Sequence, residues 1–359
     1  VYIPEMIKLV APAKKRISRR IAIVGAGMAG ITAARTLQQA GHEITVFEKG
    51  AETGGRMATQ SSVFGSFDLG TQYFTVRDPR FTSAMRYSLE QQKAVCLPWS
   101  ANAVRVLDSS GLVAAASLPS LEPHWVAQPG MSALVRLWAQ PLPRMHRDTR
   151  VTALKRGAVG WTLTAIGADD TLASHGGFDA VVLALPAPLA AELLKGVAKA
   201  GALAGALGSV EIAPCWTLML AFPNASQPGL SSFGPQWNAA RSTHHRIAWL
   251  ARESSKPRRE SIERWTVQAS ADWSREHLAD NPERVIAKLR KAFAEVTGIR
   301  AEPAYMQAHR WLYAKTEKPL GQSHLWDAGL DLGICGDWCL GHRVENAFVS
   351  GLELALAIA

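Results

Sequence analysis

The chain has 359 residues, a formal charge of +9 at neutral pH, 48% apolar residues and 19% charged ones. That composition excludes an intrinsically disordered chain, and the length suffices for about two domains with full cores. Apart from Lys14-Lys15-Arg16 and Arg19-Arg20 the basic residues are dispersed, with no arginine-rich helix, which speaks against nucleic acid and leaves a field that attracts anions. Cys96, Cys215, Cys335 and Cys339 form neither a C-x-x-C pair nor a disulfide framework, and no His/Cys cluster completes a zinc set, so reduced thiols, a cytoplasmic location and no metal are expected. Residues 1–19 read as a basic extension without an apolar leader core, and the soft run at 200–210 is too short to span a membrane.

In chain order, residues 21–24 are a short β-branched run of the kind buried in a parallel sheet. Gly25-Ala26-Gly27-Met28-Ala29-Gly30 follows at a strand-to-helix junction. There Gly25 permits the tight turn, Gly27 lets a pyrophosphate approach the backbone, and Gly30 lets the helix pack close to the strand. The helix N-terminus offers free N–H groups and positive dipole to the phosphates. Ile31, Ala34 and Leu37 mark its buried face and Gly41 ends it; a second strand at 44–47 then delivers Glu48, placed for the ribose hydroxyls. A dinucleotide site is expected. Gly54-Gly55-Arg56, directly after the second strand, resembles the extended nucleotide signature of FAD proteins in the glutathione-reductase and amine-oxidase superfamily. That resemblance implies FAD, with Arg56 paired to the pyrophosphate through its planar fork. A flexible turn with a solvated arginine is the alternative.

Further along, Asp68-Leu-Gly70-Thr-Gln72-Tyr73 resembles the superfamily segment whose backbone and aromatics meet the flavin ring, which implies Gln72 and Tyr73 there and Phe74, Thr75 and Arg77 toward the substrate. A helix is expected at 80–92 and a strand at 104–107. Gln128-Pro-Gly-Met-Ser132 opens another helix with Ser132 as its cap. Strands follow at 150–152, 161–164 and 178–186; Val151 reads equally as an adenine contact through its backbone or as plain core. The glycines between 196 and 208 lack a preceding strand and a following acid, so they read as a small-residue helix or loop. No second fingerprint and no paired redox cysteines appear, unlike a reductase with its own NADPH domain. Residues 216–267 read as β-rich, with turns at Pro223-Asn224, Pro228-Gly229 and Pro257, and His244-His245 as a solvated pair in a polar loop. Val285, Leu289, Phe293 and Val296 give an amphipathic helix. Cys335-Gly336-Asp337 ends a strand and Arg343-Val-Glu-Asn-Ala347 opens the last helix; strand-Gly-Asp resembles a second FAD signal, in which Asp337 meets the ribityl or pyrophosphate and the helix N-terminus faces the flavin edge.

Taken together, Gly-Gly-Arg-Met57, Asp-Leu-Gly-Thr-Gln-Tyr-Phe-Thr75, Gln-Pro-Gly-Met-Ser132, Ala-Trp-Leu-Ala-Arg-x-x-Ser-Lys-Pro257, Ala308–314, Cys-Gly-Asp-Trp-Cys339 and Arg-Val-Glu345 are similar to the bacterial renalases, in the same order. The resemblance implies an α/β fold in which a Rossmann-type FAD-binding domain (20–78, 128–190 and 326–359) carries an inserted mixed-sheet substrate domain (79–127 and 191–325). It implies non-covalent FAD contacted by Gly25, Gly27, Met28, Ala29, Gly30, Glu48, Lys49, Gly55, Arg56, Met57, Gln72, Tyr73, Val151, Asp337, Arg343, Val344, Glu345 and Ala347. The implied activity is an oxidase of 2- and 6-dihydro isomers of NAD(P)H: hydride passes to flavin N5, β-NAD(P)+ leaves, and O2 reoxidises the flavin to H2O2. Such a transfer needs stacking and alignment rather than an acid or base. Tyr73, Phe74, Trp216, Trp311 and Trp338 are therefore the expected active-site aromatics, with Trp216 also on the substrate; for Trp216 and Trp311 a core role is an equal reading. Asn346 stands where the family has glycine, which bears on the flavin edge. Oxidation of an amine or amino acid, and non-catalytic flavin binding, are the alternative functions; neither a membrane nor nucleic acid is expected as a partner.

Overall fold

The β-branched runs at 21–24 and 44–47 become the centre of a six-stranded sheet. In this computed structural model, which describes residues 18–91, 95–99, 104–115, 122–226 and 237–359, the sheet order is Leu325–Asp327, Leu332–Ile334, Ala180–Leu183, Arg20–Val24, Glu43–Phe47 and Met145–His146. All neighbours are parallel except the outer Leu325–Asp327 pair, and Ile21 lies between Ile44 and Ala180. The basic cluster at 14–16 and the expected turn at Pro228-Gly229 lie outside the described residues.

Both faces of a parallel sheet must be covered, which is why its strands are apolar throughout. On one face Ile21 and Ile23 pack against the helices Met28–Gln39 and Val344–Ile358. On the other, Ala22 and Val24 meet a three-stranded sheet, Arg150–Gly157, Gly160–Ile166 and Leu172–Phe178, and the helices Ala187–Leu194 and Gly201–Leu207. The glycine-rich stretch before residue 208 is thus the small-residue helix the sequence suggests.

A second, seven-stranded sheet runs in the order Tyr305–Lys318, Glu211–Phe222, Glu263–Ala269, Ile247–Arg252, Ala239–Ser242, Val104–Leu107 and Val113–Ala115. Helix Pro282–Thr297 covers one face with Val285, Leu289, Phe293 and Val296, as their spacing predicts. Its ends are well specified: Asn281 Oδ1 accepts from the Arg284 N–H at 2.9 Å, and Gly298 closes it at φ 75°. The opposite face rests on the hairpin Thr59–Ser62 and Gly65–Asp68 and the loop that follows it. Among the described residues no helix is long and apolar enough to cross a membrane.

Three local readings need correction. Helix Pro79–Gln91 buries Phe81 and Met85 in the same core as Ile21 and Leu37, with the Phe81 ring 4.8 Å from that of Phe348, so it packs on the last helix of the dinucleotide-binding half. Ser132 begins its helix without capping it; its Oγ accepts from Arg136 instead. His244 is buried rather than solvated, stacked on His245 and 3.2 Å from Glu295.

Close helix packing makes a sharp prediction. A Cβ on Gly351 would lie 2.2 Å from the Ala29 carbonyl oxygen, whereas one on Gly205 would meet nothing within 4 Å. Gly351→Ala should lower the stability by about 1–3 kcal/mol through overpacking, and Gly205→Ala should raise it by about 0.5–1 kcal/mol. Denaturant titration of the two variants reads both signs.

Candidate active site

The first strand ends at a loop whose glycines have different reasons to be glycine. Gly25 has φ +105°, and a Cβ there would lie 2.4 Å from the Ala184 oxygen; a Cβ on Gly30 would lie 2.0 Å from the Gly25 oxygen. Those two are demanded by the protein itself. At Gly27 an added Cβ would meet only the Gly55 Cα, at 4.0 Å, which is ordinary contact. Gly27 and Gly54 form a parallel bridge, so two backbones run side by side as a floor without side chains. Packing does not require glycine at 27, but a diphosphate lying on that floor does. The helix beginning at Met28 has no side-chain cap at Gly27, which leaves its first N–H groups facing the same place. The residues present therefore fit a dinucleotide.

The surrounding groups converge on this floor. Glu48, at the end of the second strand, accepts from the Ala26 N–H at 2.7 Å and the Gly50 N–H at 2.9 Å, beside the glycine loop. Lys49 is exposed next to it, while Met28, Ala29 and Met57 are buried walls. Arg56 forms a two-pronged ion pair with Asp337, Nη1 to Oδ2 3.0 Å, joining residues 281 apart that the sequence assigns to one cofactor.

The segment from Leu69 to Asp78 crosses between the two halves and is fastened along its length. Trp311 Nε1 donates to the Leu69 carbonyl at 3.1 Å, and Gln268 Nε2 donates to the Gly70 carbonyl at 2.6 Å. The buried Glu345 carboxylate accepts the Arg77 and Asp78 N–H groups. Gln72 turns its side chain inward: Nε2 donates to the Asp68 and Gly70 carbonyls, and Oε1 accepts from Lys256 Nζ at 3.1 Å. Lys256, fully buried, also donates to Asp68 at 2.8 Å and Glu253 at 3.0 Å, and Arg259 adds a second cation 2.8 Å from Asp68. Burial pushes the Asp68 carboxyl up, but the Lys256 and Arg259 charges and the Met131 N–H outweigh it and hold it below the usual range. For Glu253 burial prevails over Lys256, with Asp68 adding repulsion, so its carboxyl sits above its usual value.

Strand register decides which sheet residues share this space. His309, Thr217, Gln268, Trp249 and Arg241 are successive cross-strand partners, so one row crosses five strands on the face toward Gly70. Tyr73 lies over that row, with its ring centroid 5.7 Å from Trp249, 4.1 Å from His124 and 6.4 Å from Trp99. At the other end of the site, burial first and then Lys315, Arg343 and Arg241 depress the His342 imidazole, against the pull of Asp337. Burial likewise depresses His124, opposed by Glu122 and reinforced by Arg241. Arg241, Lys315 and Arg343 are exposed and take part in no salt bridge among the described residues, so this flank is electropositive. No group of three or more His, Cys, Asp or Glu among the described residues could hold a metal.

Several expected site residues fall elsewhere. Trp216 is 2% exposed, one residue out of phase with the row, so it faces the helix-covered core and donates to the His277 carbonyl at 3.0 Å. Trp338 is wholly buried beneath the parallel sheet and donates to the Leu185 carbonyl at 2.9 Å. Phe74 is also core, against Phe81, with its backbone bridged to Trp125. Arg77 spends its guanidinium on Glu122 at the surface, and Thr75 is half-buried. Val151 joins the core with Phe47 beside a bulge in its strand. Val344 and Ala347 are half-buried at the start of the last helix, and Arg343 is its N-cap. Asn346 adopts helical rather than left-handed backbone, and its Oδ1 accepts the Arg343 N–H at 3.0 Å. Tyr73 and Trp311 do face the site. Sequence reading missed Trp249, His124, Gln268, Arg241 and the pairing of Lys256. The alternation in 247–252 and 263–269 could have proposed a face, but only pairing says which face meets Gly70.

The family model for flavin containing amine oxidoreductase matches residues 117–359, and that for an NAD(P)-binding Rossmann-like domain matches residues 23–88. The fold is similar to that of a candidate protoporphyrinogen oxidase from Exiguobacterium sp. 255-15, with TM-score 0.71 and 13% identity over 95% of this chain and 99% of the other. It is also similar to an engineered putrescine oxidase, with TM-score 0.67 and 14% identity over 95% and 98% of the two chains. Among curated relatives, 43% of 58 residues match 4,4'-diapophytoene desaturase of Staphylococcus haemolyticus, covering 16% of this chain and 12% of that protein. An L-amino-acid oxidase of Siganus canaliculatus is 52% identical over 42 residues, 12% of this chain and 8% of its own. The chain thus spans only a small part of these curated relatives.

The buried charge cluster predicts opposite behaviour for its two acids. Lys256→Met should cost about 3–5 kcal/mol, because it strands buried carboxylates. Asp68→Asn should lose stability at pH 7, and its deficit should shrink as pH falls through the depressed Asp68 value, where the wild-type carboxylate also protonates. Glu253→Gln should be tolerated far better, since burial already disfavours the Glu253 anion. Urea titrations of the three variants across pH check all of this.

Proposed function

The chain belongs to the flavin-containing amine oxidoreductase family, and from that premise we propose that it is a renalase-type oxidase of dihydropyridine dinucleotides. It holds FAD non-covalently, oxidises 2- or 6-dihydro isomers of NAD(P)H, and releases β-NAD(P)+. Bound flavin supplies the two-electron acceptor and passes the electrons on to O2, giving H2O2. The floor at Gly27 and Gly55, Glu48 at the ribose, and Arg56 with Asp337 would hold the cofactor, and the start of helix Val344–Ile358 would face its ring.

The observation that carries the substrate class is charge. Arg241, Lys315 and Arg343 flank the site without salt-bridge partners among the described residues, and they lower His342 after burial has done so. Such a flank attracts a diphosphate and repels a protonated amine. The half-buried rings of Tyr73 and Trp249 offer stacking surface for a pyridine. Aromatisation of a dihydropyridine to a pyridinium releases no proton, so these residues need only align the ring and exclude water. An amine oxidase would want a lysine free to hold a water near the ring. Lys256 does not offer one, since Asp68, Gln72 and Glu253 engage all three of its donors, and Lys315 lies exposed on the charged flank.

Anaerobic mixing of the holoprotein with 6-dihydroNAD, followed by flavin absorbance, tests the reading. Rapid bleaching that air reverses, with stoichiometric β-NAD+ and H2O2, is the expected result. Flavin that stays yellow with dihydropyridines but bleaches with an amine would overturn it in favour of amine oxidation. Flavin that bleaches with neither would leave a non-catalytic flavoprotein.

A further inference from the structure

Two ring nitrogens beside Tyr73 lack any hydrogen-bond partner among the described residues. His124 is 6% exposed, and its Nδ1 makes no hydrogen bond; Trp249 Nε1 is buried and likewise unpaired. By contrast Trp99, in the same aromatic group, has its Nε1 on Ser255 Oγ at 3.1 Å. Orphaned buried polar atoms are rare, because each forfeits its water without compensation. Here two occur in one cluster, both against the ring that covers the sheet row, and they are of opposite character. An indole nitrogen can only donate. Imidazole Nδ1 accepts in the neutral Nε2–H tautomer, which the proposal assigns here, and burial favours the neutral ring at His124.

We propose that Trp249 Nε1 and His124 Nδ1 form the subsite for a primary carboxamide on the substrate ring, with Trp249 donating to its oxygen and His124 accepting from its NH2. This deepens the reading given under the proposed function and rests on it, since a nicotinamide ring carries such a group. A carboxamide presents one strong acceptor and one donor on a planar unit, the complement of this pair. A carboxylate would meet the lone pair of His124, and an ammonium would leave Trp249 without an acceptor. Water reaches neither nitrogen in this structure, so the carboxamide gains both bonds by parting the half-buried Tyr73 and Trp249 rings. These two residues act as specificity determinants; the proposal gives neither a part in electron transfer.

The test compares binding of β-NAD+ with that of its nicotinic-acid analogue to the oxidised holoprotein, by calorimetry at pH 7.5. Wild type should favour β-NAD+ by tenfold or more. Trp249→Phe and His124→Phe should each weaken β-NAD+ about tenfold while leaving the analogue nearly unchanged, so the preference collapses. Flavin absorbance and the unfolding midpoint of each variant verify that the site is still assembled. Equal affinity of wild type for the two dinucleotides, or variants that keep the full preference, would overturn the subsite. If dihydropyridines bleach the flavin and the preference is absent, only the subsite fails. If dihydropyridines never bleach it and β-NAD+ does not bind, the proposed function fails and the subsite with it.

Discussion

A diphosphate can enter a folded chain only where backbone N–H groups reach it and no side chain stands in the way. Gly27 and Gly55 meet that constraint as adjacent backbones without side chains, and the first half of the fold serves to keep them so. Gly25 and Gly30 let helix Met28–Gln39 seat against the strand with its N-terminus at the floor. Gly351 lets helix Val344–Ile358 approach Ala29. Arg56 and Asp337, far apart in the chain, meet beside that floor.

The second half is joined to this frame by polar contacts as well as by an apolar core, in which Ala239 and Ala251 share one cluster with Ile21 and Phe348. Trp311 and Gln268 hold the carbonyls of Leu69 and Gly70, Glu345 holds the N–H groups of Arg77 and Asp78, and Lys256 bridges Asp68, Gln72 and Glu253. Directional bonds of this kind fix the loop more finely than packing alone, at the expense of desolvating charges. The sheet row beneath Tyr73 is thereby held at a set height over the loop, which is what a stacked hydride transfer requires.

The nucleotide half was legible in the sequence because its chemistry is local: glycines, helix start and Glu48 lie within 30 residues and obey known spacing. The β-strands of the other half were equally legible, but not their consequences. Trp216 and Trp311 looked equivalent as tryptophans in β-rich segments; one step of the period-2 alternation sends Trp216 to the helix-covered face, while Trp311, opposite Cys215, reaches Leu69. Trp338 sits in a cofactor motif yet serves to anchor the Leu185 carbonyl. Trp249, His124 and Arg241 carry no motif, and only cross-strand register brings them together. Asn346, where the resemblance to renalases leads one to expect glycine, bonds its own helix start at Arg343.

The proposed selection of an anionic dinucleotide by charge is read from the ionic-strength dependence of the second-order rate of flavin reduction by 6-dihydroNAD. Attraction through Arg241, Lys315 and Arg343 predicts a rate that falls steeply as salt is raised, as the Debye length shrinks from about 30 Å at 0.01 M to about 8 Å at 0.15 M. It also predicts a flattened dependence in the Arg241→Ala, Lys315→Ala double variant. A wild-type rate indifferent to salt, or one that rises with it, would rule that selection out.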